Sequence, residues 1–258
     1  MIPVRLSLGA WSPVIRRITA ESSTDGRPAM AITFDDGPDP ESTPHLIEAL
    51  AKAGAKSTHF LLGERVERHP ELVAALVSAG HGVYAHGWSH DRYSAAEADA
   101  AAAATARTEA LLARHRPTPK TYLIRLPFNA GFTSAAVHRA MRRFHPDVQF
   151  AWWSHTIADF KIAGTCKGEA AIRAAIADVV TQFGARDDLE GGVLLIHDAP
   201  LGQPEDAATM TTRLLAPEAM RVLKAKGFDL VALKPQPEPP LSRFAFRSPQ
   251  PVMVTAAG

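Results

Sequence analysis

Two adjacent acids, Asp35 and Asp36, are followed about fifty residues later by two histidines four apart, His86 and His90. A divalent ion of the zinc type accepts neutral imidazoles and a carboxylate, and a catalytic site leaves one position open for water. Bound water loses a proton near neutral pH, its pKa falling to about 7 in the best-studied cases. One Asp of the pair can serve as ligand while the other stays free to take that proton. Together the four side chains predict a metal-dependent hydrolase. Taken singly they predict nothing, since an acid-acid-Gly turn is a common loop former and most histidines are ordinary core or surface residues.

Elements that would position these residues alternate along the chain from Arg27 to about Lys234. Ala29 to Phe34 reads as a buried strand that ends in the acid pair. Thr43, Pro44 and Gly54 mark the start and stop of a following helix, with Leu46, Ile47, Leu50 and Ala53 on its apolar face. Ser57 to Leu62 predicts a second strand and Pro70 to Ala79 a helix. Gly82 to Ala85 predicts a short strand that delivers His86. A long Ala-rich helix is expected over 95–114 and a strand over 121–124 running into Arg125. Further helices are expected over 134–143, 168–183 and 211–226, with strands over 148–153, 192–196 and 228–233. Such alternation predicts parallel strands joined by crossover helices. Asp35, His86, Arg125 and His197 all fall just after strands, and in a barrel of this kind the carboxyl ends of the strands carry the site.

Composition sets the outer limits. The 258 residues, 46% of them hydrophobic, suffice for one core of α/β-barrel size. With 28 basic and 27 acidic side chains there is no electrostatic case for a nucleic-acid partner. A lone Cys166 cannot form an intramolecular disulfide and reads as a plain thiol. No stretch approaches the roughly 18 to 20 apolar residues of a membrane span. Residues 1–19 carry Arg5, Arg16, Arg17 and Pro13 in a pattern unlike a secretory signal, which gives a cytoplasmic location as the expectation. Residues 1–26 read as an N-terminal arm, 27–234 as the catalytic domain and 235–258 as a Pro-rich tail that Phe244 and Phe246 would pin.

The string Thr33-Phe34-Asp35-Asp36-Gly37-Pro38 resembles the first motif of the polysaccharide deacetylases, the NodB-homology domains of carbohydrate esterase family 4. His86-Gly87-Trp88-Ser89-His90 is similar to the family's H-[S/T]-x-x-H, with Gly87 in place of the usual hydroxyl residue. Arg125-Leu126-Pro127-Phe128 resembles R-x-P-[YF], Trp153-Ser154 through Asp159-Phe160 the fourth motif, and Leu195-Ile196-His197 the closing L-x-H. The resemblance covers roughly residues 27–234, with the motifs in order. It implies a distorted (β/α)7 barrel and hydrolysis of an N-acetyl amide on an amino sugar, or occasionally of an O-acetyl ester.

Position by position, the resemblance implies Asp36, His86 and His90 as ligands of a divalent metal, zinc by default, with Asp35 as general base. It implies that Arg125 holds Asp35, that His197 is the general acid and that Asp159 orients His197. Phe128 would supply a backbone N–H to the oxyanion, while Leu195 and Trp153 would line the pocket for the acetyl methyl. Phe160 and Thr156 depart from the Trp and Asp of the fourth motif, and Gly87 removes a hydroxyl that would support the ligand loop, predicting weaker metal binding or a more mobile loop. His155 stands four residues before Asp159 and is expected at the cleft. An acetylated amino sugar, oligomeric or conjugated, is the expected substrate, and no oligomeric state is legible. A small non-sugar amide or an O-acetyl ester is the competing substrate reading. A silent carbohydrate-binding protein is the reading from another class, which the full set of acids and histidines opposes.

Overall fold

Seven successive residues with no exposed face form the strand on which the sheet is built: β2, Ala29–Asp35. A continuous apolar run of this kind is what a parallel strand covered on both sides requires. In the computed structural model, which describes residues 11–19, 26–236 and 252–253, β2 pairs in parallel with three neighbours. These are β3 (Ser57–Leu61), β8 (Val193–His197) and β9 (Asp229–Ala232). The larger sheet runs β10-β7-β8-β2-β3-β4, with β9 beside β2. Its other members are β4 (Gly82–Ala85), β7 (His155–Thr156) and β10 (Val252–Met253). A second sheet has the order β1-β6-β5, from β1 (Val14–Ile15), β5 (Tyr122–Ile124) and β6 (Val148–Ala151). All named strand pairs are parallel, and helices lie on most of the connections from β2 to β9. This is the expected distorted α/β barrel, split into two sheets between β4 and β5.

Helices α1 (Thr43–Lys52), α7 (Glu169–Gly184) and α8 (Glu205–Ala225) cover one side of the sheet. Their buried Leu46, Leu50, Val179, Phe183, Leu215 and Leu223 pack on Met30, Ile32 and Phe34 of β2. On the smaller sheet, Tyr122, Ile124 and Phe150 pack with Ala101 of α4 (Ala98–Leu112) and with Val137 and Met141 of α5 (Ala135–Phe144). Val66 of α2 (Gly63–Arg68) and Val73 and Leu76 of α3 (Pro70–Ser78) close over Val83 and Ala85 of β4. Burying one such side chain stabilises by about 1.5–3 kcal/mol relative to exposure.

Most expected elements are present within a few residues. Thr43 is the first residue of α1 rather than its cap, because its hydroxyl accepts from the Asp39 N–H and donates to Asp198. The long helix is divided, a 3-10 turn over Ala95–Glu97 with a Ser94 capping box preceding α4. Three short elements carry no readable period: α2, β7 and α6 (Asp159–Thr165). The last helix starts six residues earlier than expected, at Glu205 after Pro204, where Glu205 and Asp206 suit the helix N-terminus. Part of the N-terminal arm is strand, Val14 and Ile15 pairing with Phe150 and Ala151, and Val252 and Met253 of the tail pair with β7. Phe244 and Phe246 lie outside the described residues.

At the amino end of β3 a buried polar cluster limits acid stability. Ser57 Oγ sits 2.8 Å from His59 Nε2 and 3.1 Å from His81 Nδ1, and the Ser57 N–H donates to His81 Nδ1. That nitrogen must stay unprotonated to accept. Burial depresses both imidazoles, and with the Lys56 charge it brings His81 down to about 4. The unfolded chain takes up these protons near pH 6.5, so stability is full above that value and falls as pH drops toward 4. Loss on the order of 1–2 kcal/mol is expected after allowance for solvent screening. Urea midpoints at pH 7 and pH 4.5 check this. His81→Gln should show a flatter pH slope, and equal slopes in the two proteins would contradict it.

Candidate active site

β2 carries Asp35 at its last position and turns immediately through Asp36, whose φ of 75° lies in the left-handed region. Aspartate tolerates that region better than most residues, and such strain concentrates at functional sites. The turn aims the Asp36 carboxylate back across the strand ends. Asp36 Oδ1 lies 3.5 Å from His86 Nε2 and 3.3 Å from His90 Nε2, and the three donor groups all fall within 4.8 Å of one another. Asp36 Oδ2 accepts the Leu201 N–H at 3.2 Å, while buried Oδ1 has no hydrogen-bond partner among the described residues.

These residues fit a divalent cation. His86 Nδ1 lies 2.8 Å from the Arg125 carbonyl and donates to it, which leaves the Nε2 lone pair facing Asp36. Burial outweighs the neighbouring carboxylates at His90 and lowers its pKa, favouring the neutral ring. Two imidazole Nε2 atoms and a carboxylate oxygen thus converge on one point. Burial alone would raise the Asp36 pKa, but His197, His86, His90 and the Leu201 N–H together bring it below the usual carboxylate range. At bonds of about 2.0–2.2 Å, donors at the corners of a tetrahedron lie about 3.3–3.6 Å apart, close to the Asp36–histidine separations. Chemically the set is borderline in softness and suits zinc and its neighbours.

Asp35, at 3.9 Å from His86 Nε2, is turned instead toward Arg125, whose Nη1 donates to Asp35 Oδ1 at 2.7 Å. Across the site, His197 ends β8. Asp159 Oδ1 lies 2.8 Å from its Nδ1, and Asp159 Oδ2 accepts its backbone N–H at 2.6 Å. Burial alone would lower the His197 pKa; Asp159, with Asp36 and Asp35, outweighs it and pushes the imidazole up to about 10. Phe128 has φ 53° and is 51% exposed, its ring centroid 4.5 Å from that of His90. Trp153 stacks on Trp152 and lies beside the Arg125 guanidinium, and Leu195 is buried on β8. His155 is not at the cleft. It is buried on β7 between Ser154 and Asp188, against Gly192 at the amino end of β8, so its distance in sequence from Asp159 is misleading.

Two supports escape a motif reading. Asp198 follows His197 with no readable spacing, yet Ser42 Oγ and Thr43 Oγ1 both donate to its carboxylate at 2.5 Å, and its N–H donates to the Asp35 carbonyl. Burial, with Asp39 adding to it, raises this carboxyl to about 7 against the pull of the two hydroxyls and Arg65. Thr108 Oγ1 and the Gly63 N–H both donate to the Gly87 carbonyl, at 2.7 and 3.2 Å. Gly87 has φ 80°, a conformation that glycine adopts at little cost. The hydroxyl that the motif lacks is thus replaced from α4, and the ligand loop is tied down rather than loosened.

Comparison with known proteins agrees with this geometry. Residues 22–145 match the polysaccharide deacetylase family model. A peptidoglycan-N-acetylglucosamine deacetylase of Bacillus cereus is 28% identical over 229 residues, which cover 87% of this chain and 75% of that protein. In sequence the chain resembles the polysaccharide deacetylases. A chitooligosaccharide deacetylase of Rhizobium leguminosarum bv. trifolii is 29% identical over 141 residues, 54% of this chain and 65% of that one. The structure of the peptidoglycan deacetylase PdaC from Bacillus subtilis superposes with a TM-score of 0.61 at 25% identity, covering 80% of this chain and 88% of the other. A family 4 carbohydrate esterase from Streptomyces lividans, solved with acetate, gives 0.58 at 26%, covering 79% and 91%. The chain therefore shares the NodB-homology fold of these deacetylases. The family-model match ends before α6 and β8, so Asp159 and His197 stand on their own geometry.

The acid-bearing turn has no room for a side chain at Gly37, where a Cβ would lie 2.6 Å from Asp198 Oδ2. Gly37→Ala should fold but displace the Asp36 turn, weakening zinc binding by about tenfold or more on the scale of lost supporting contacts. Competition with a chromophoric chelator measures this, and unchanged affinity would contradict it.

Proposed function

We propose that this protein hydrolyses the N-acetyl amide of an acetylated amino sugar within an oligosaccharide or polysaccharide, using one divalent ion, zinc by preference. The observation that carries the reading is the separation of Asp35 from Asp36. One faces the two histidines with an unpartnered oxygen, and the other is held apart by Arg125. The named relatives act, by their names, on peptidoglycan N-acetylglucosamine and on chitooligosaccharide, so the acetylated amino sugar is the shared unit.

Asp36, His86 and His90 would hold the ion, which when bound supplies a Lewis acid and an acidified water. Asp35 is the general base in this reading, with one oxygen fixed by Arg125 and the other free toward the triad. Amide hydrolysis passes through a tetrahedral oxyanion, and the amine leaves only when protonated, so an acid distinct from the base is needed. His197 fills that role, kept charged by Asp159, which accepts from its Nδ1 and leaves Nε2–H as the donor. The left-handed conformation of Phe128 suits a backbone N–H aimed at the oxyanion, and loss of one such donor costs about 10²–10³ in rate. Leu195 and Trp153 would line the methyl pocket. An O-acetyl ester would need the same base but less from His197, since an alkoxide leaves more readily than an amide anion.

Acetate release from N-acetylglucosamine oligomers of increasing length, by metal-stripped protein with zinc restored, tests the assignment. Asp35→Asn should keep one zinc per chain and lose at least about 10² in rate, whereas Asp36→Asn should lose the zinc. Zinc binding with no acetate from any oligomer would sink the sugar assignment. For the acid, the expected sign is fixed by the Asp159 contact. Asp159→Asn removes the largest influence raising His197, so the basic limb of the rate profile should move to lower pH. An unmoved limb would remove His197 as the acid.

A further inference from the structure

β4 ends just before His86 and β5 just before Arg125, yet the two strands lie in different sheets. The backbone groups on the side of β4 away from β3 therefore face a seam rather than a paired strand. Side chains fill it. Arg116 Nε and Nη2 donate to the Val83 carbonyl at 3.1 and 2.9 Å, and the Ala85 N–H donates to Tyr122 Oη at 3.1 Å. The Tyr122 hydroxyl in turn donates to Glu109 Oε2 at 2.9 Å. Glu109 also accepts Arg116 in a two-pronged contact at 2.7 and 2.8 Å, and Thr118 Oγ1 at 2.9 Å. One residue past Ala85 the seam is closed by His86 Nδ1 on the Arg125 carbonyl.

Tyr122 is fully buried on β5, and Glu109 on α4 is nearly so. A buried carboxylate is tolerated only where paired and hydrogen-bonded, and Glu109 is both. That makes its position rigid, and the tyrosine hydroxyl inherits the rigidity. The hydroxyl thus spans the seam, fixed to β5 by its own ring and bonded to the N–H next to His86.

We propose that Tyr122, backed by Glu109 and Arg116, is a positioning residue that sets the separation of β4 and β5 and so aims His86 Nε2 at the metal. The proposal rests on Asp36, His86 and His90 being a metal centre. Phenylalanine at this position keeps the ring packed against Tyr84 and Phe144 and removes only the bridge. Ala85 N–H and one lobe of Glu109 then lose their partner, and the contact of His86 with the Arg125 carbonyl is left to hold the strand ends without the tyrosine bridge. Groups one step behind a metal ligand typically account for about 10- to 100-fold in affinity.

Zinc dissociation constants for the folded full-length chain, measured by chelator competition, test this in wild type, Tyr122→Phe and Glu109→Gln. Leu223→Ala, in the core under α8, serves as a control that lowers stability far from the seam. The expected result is zinc binding weakened about tenfold or more in Tyr122→Phe and Glu109→Gln, and unchanged in Leu223→Ala. Should Glu109→Gln fail to fold, Tyr122→Phe carries the comparison alone. Wild-type affinity in Tyr122→Phe, or an equal loss in Leu223→Ala, would overturn the positioning role and leave the metal centre standing. Absence of zinc binding by wild type would instead remove the metal centre, and the proposal with it.

Discussion

A guanidinium with none of its side chain exposed has to be answered on every side, and the answers to Arg125 set the geometry of this site. An arginine cannot shed its proton to escape burial, so its N–H groups must find acceptors. Nη1 takes Asp35 Oδ1 and Thr33 Oγ1, Nε takes the Ala151 carbonyl, and Nη2 takes that of Trp152. The plane lies over Phe60 at 4.3 Å, where cation–π attraction adds to the pairing. In the same residue the backbone carbonyl accepts from His86. One amino acid therefore links the ends of β2, β4, β5 and β6. Removing its charge would leave Asp35 buried without its guanidinium partner, which is the expensive half of breaking a buried pair.

With that link in place, the acids of the site are separated by their environments. Asp35 is spoken for by Arg125, and Asp159 by both the ring and the backbone of His197. Of these acids Asp36 alone keeps a buried oxygen with no hydrogen-bond partner among the described residues, facing two imidazoles. Groups of one type placed in contrasting surroundings are how a fold divides acid, base and ligand duties. Around this centre the supports come from afar in sequence: Asp198 and the hydroxyls of Ser42 and Thr43 under the acid turn, Thr108 under the histidine loop.

Much of this was legible in the residues. The buried strand ending in Asp35, the short strand delivering His86 and the run ending at His197 are apolar segments with clear stops, and the structure has them as β2, β4 and β8. Placement of chemistry at the carboxyl ends followed from parallel topology alone. What was not legible is what depends on contacts rather than pattern. Asp198 reads like any acid after a histidine, and Tyr122 like any strand aromatic. His155 looked well placed by its distance in sequence from Asp159, but β7 carries it to the amino end of β8. Helices α2 and α6 are too short to show a period, and Gly87 read as a loss because its replacement, Thr108, comes from a different element.

Anomalous scattering from crystals grown with zinc addresses the central claim, that Arg125 keeps one acid away from the metal while its carbonyl aims a histidine at it. The expected result is one strong peak bonded to Asp36, His86 Nε2 and His90 Nε2, with Asp35 outside bonding distance and still on Arg125. A zinc bonded to Asp35, or bound through His86 Nδ1 with the Arg125 carbonyl contact broken, would contradict it.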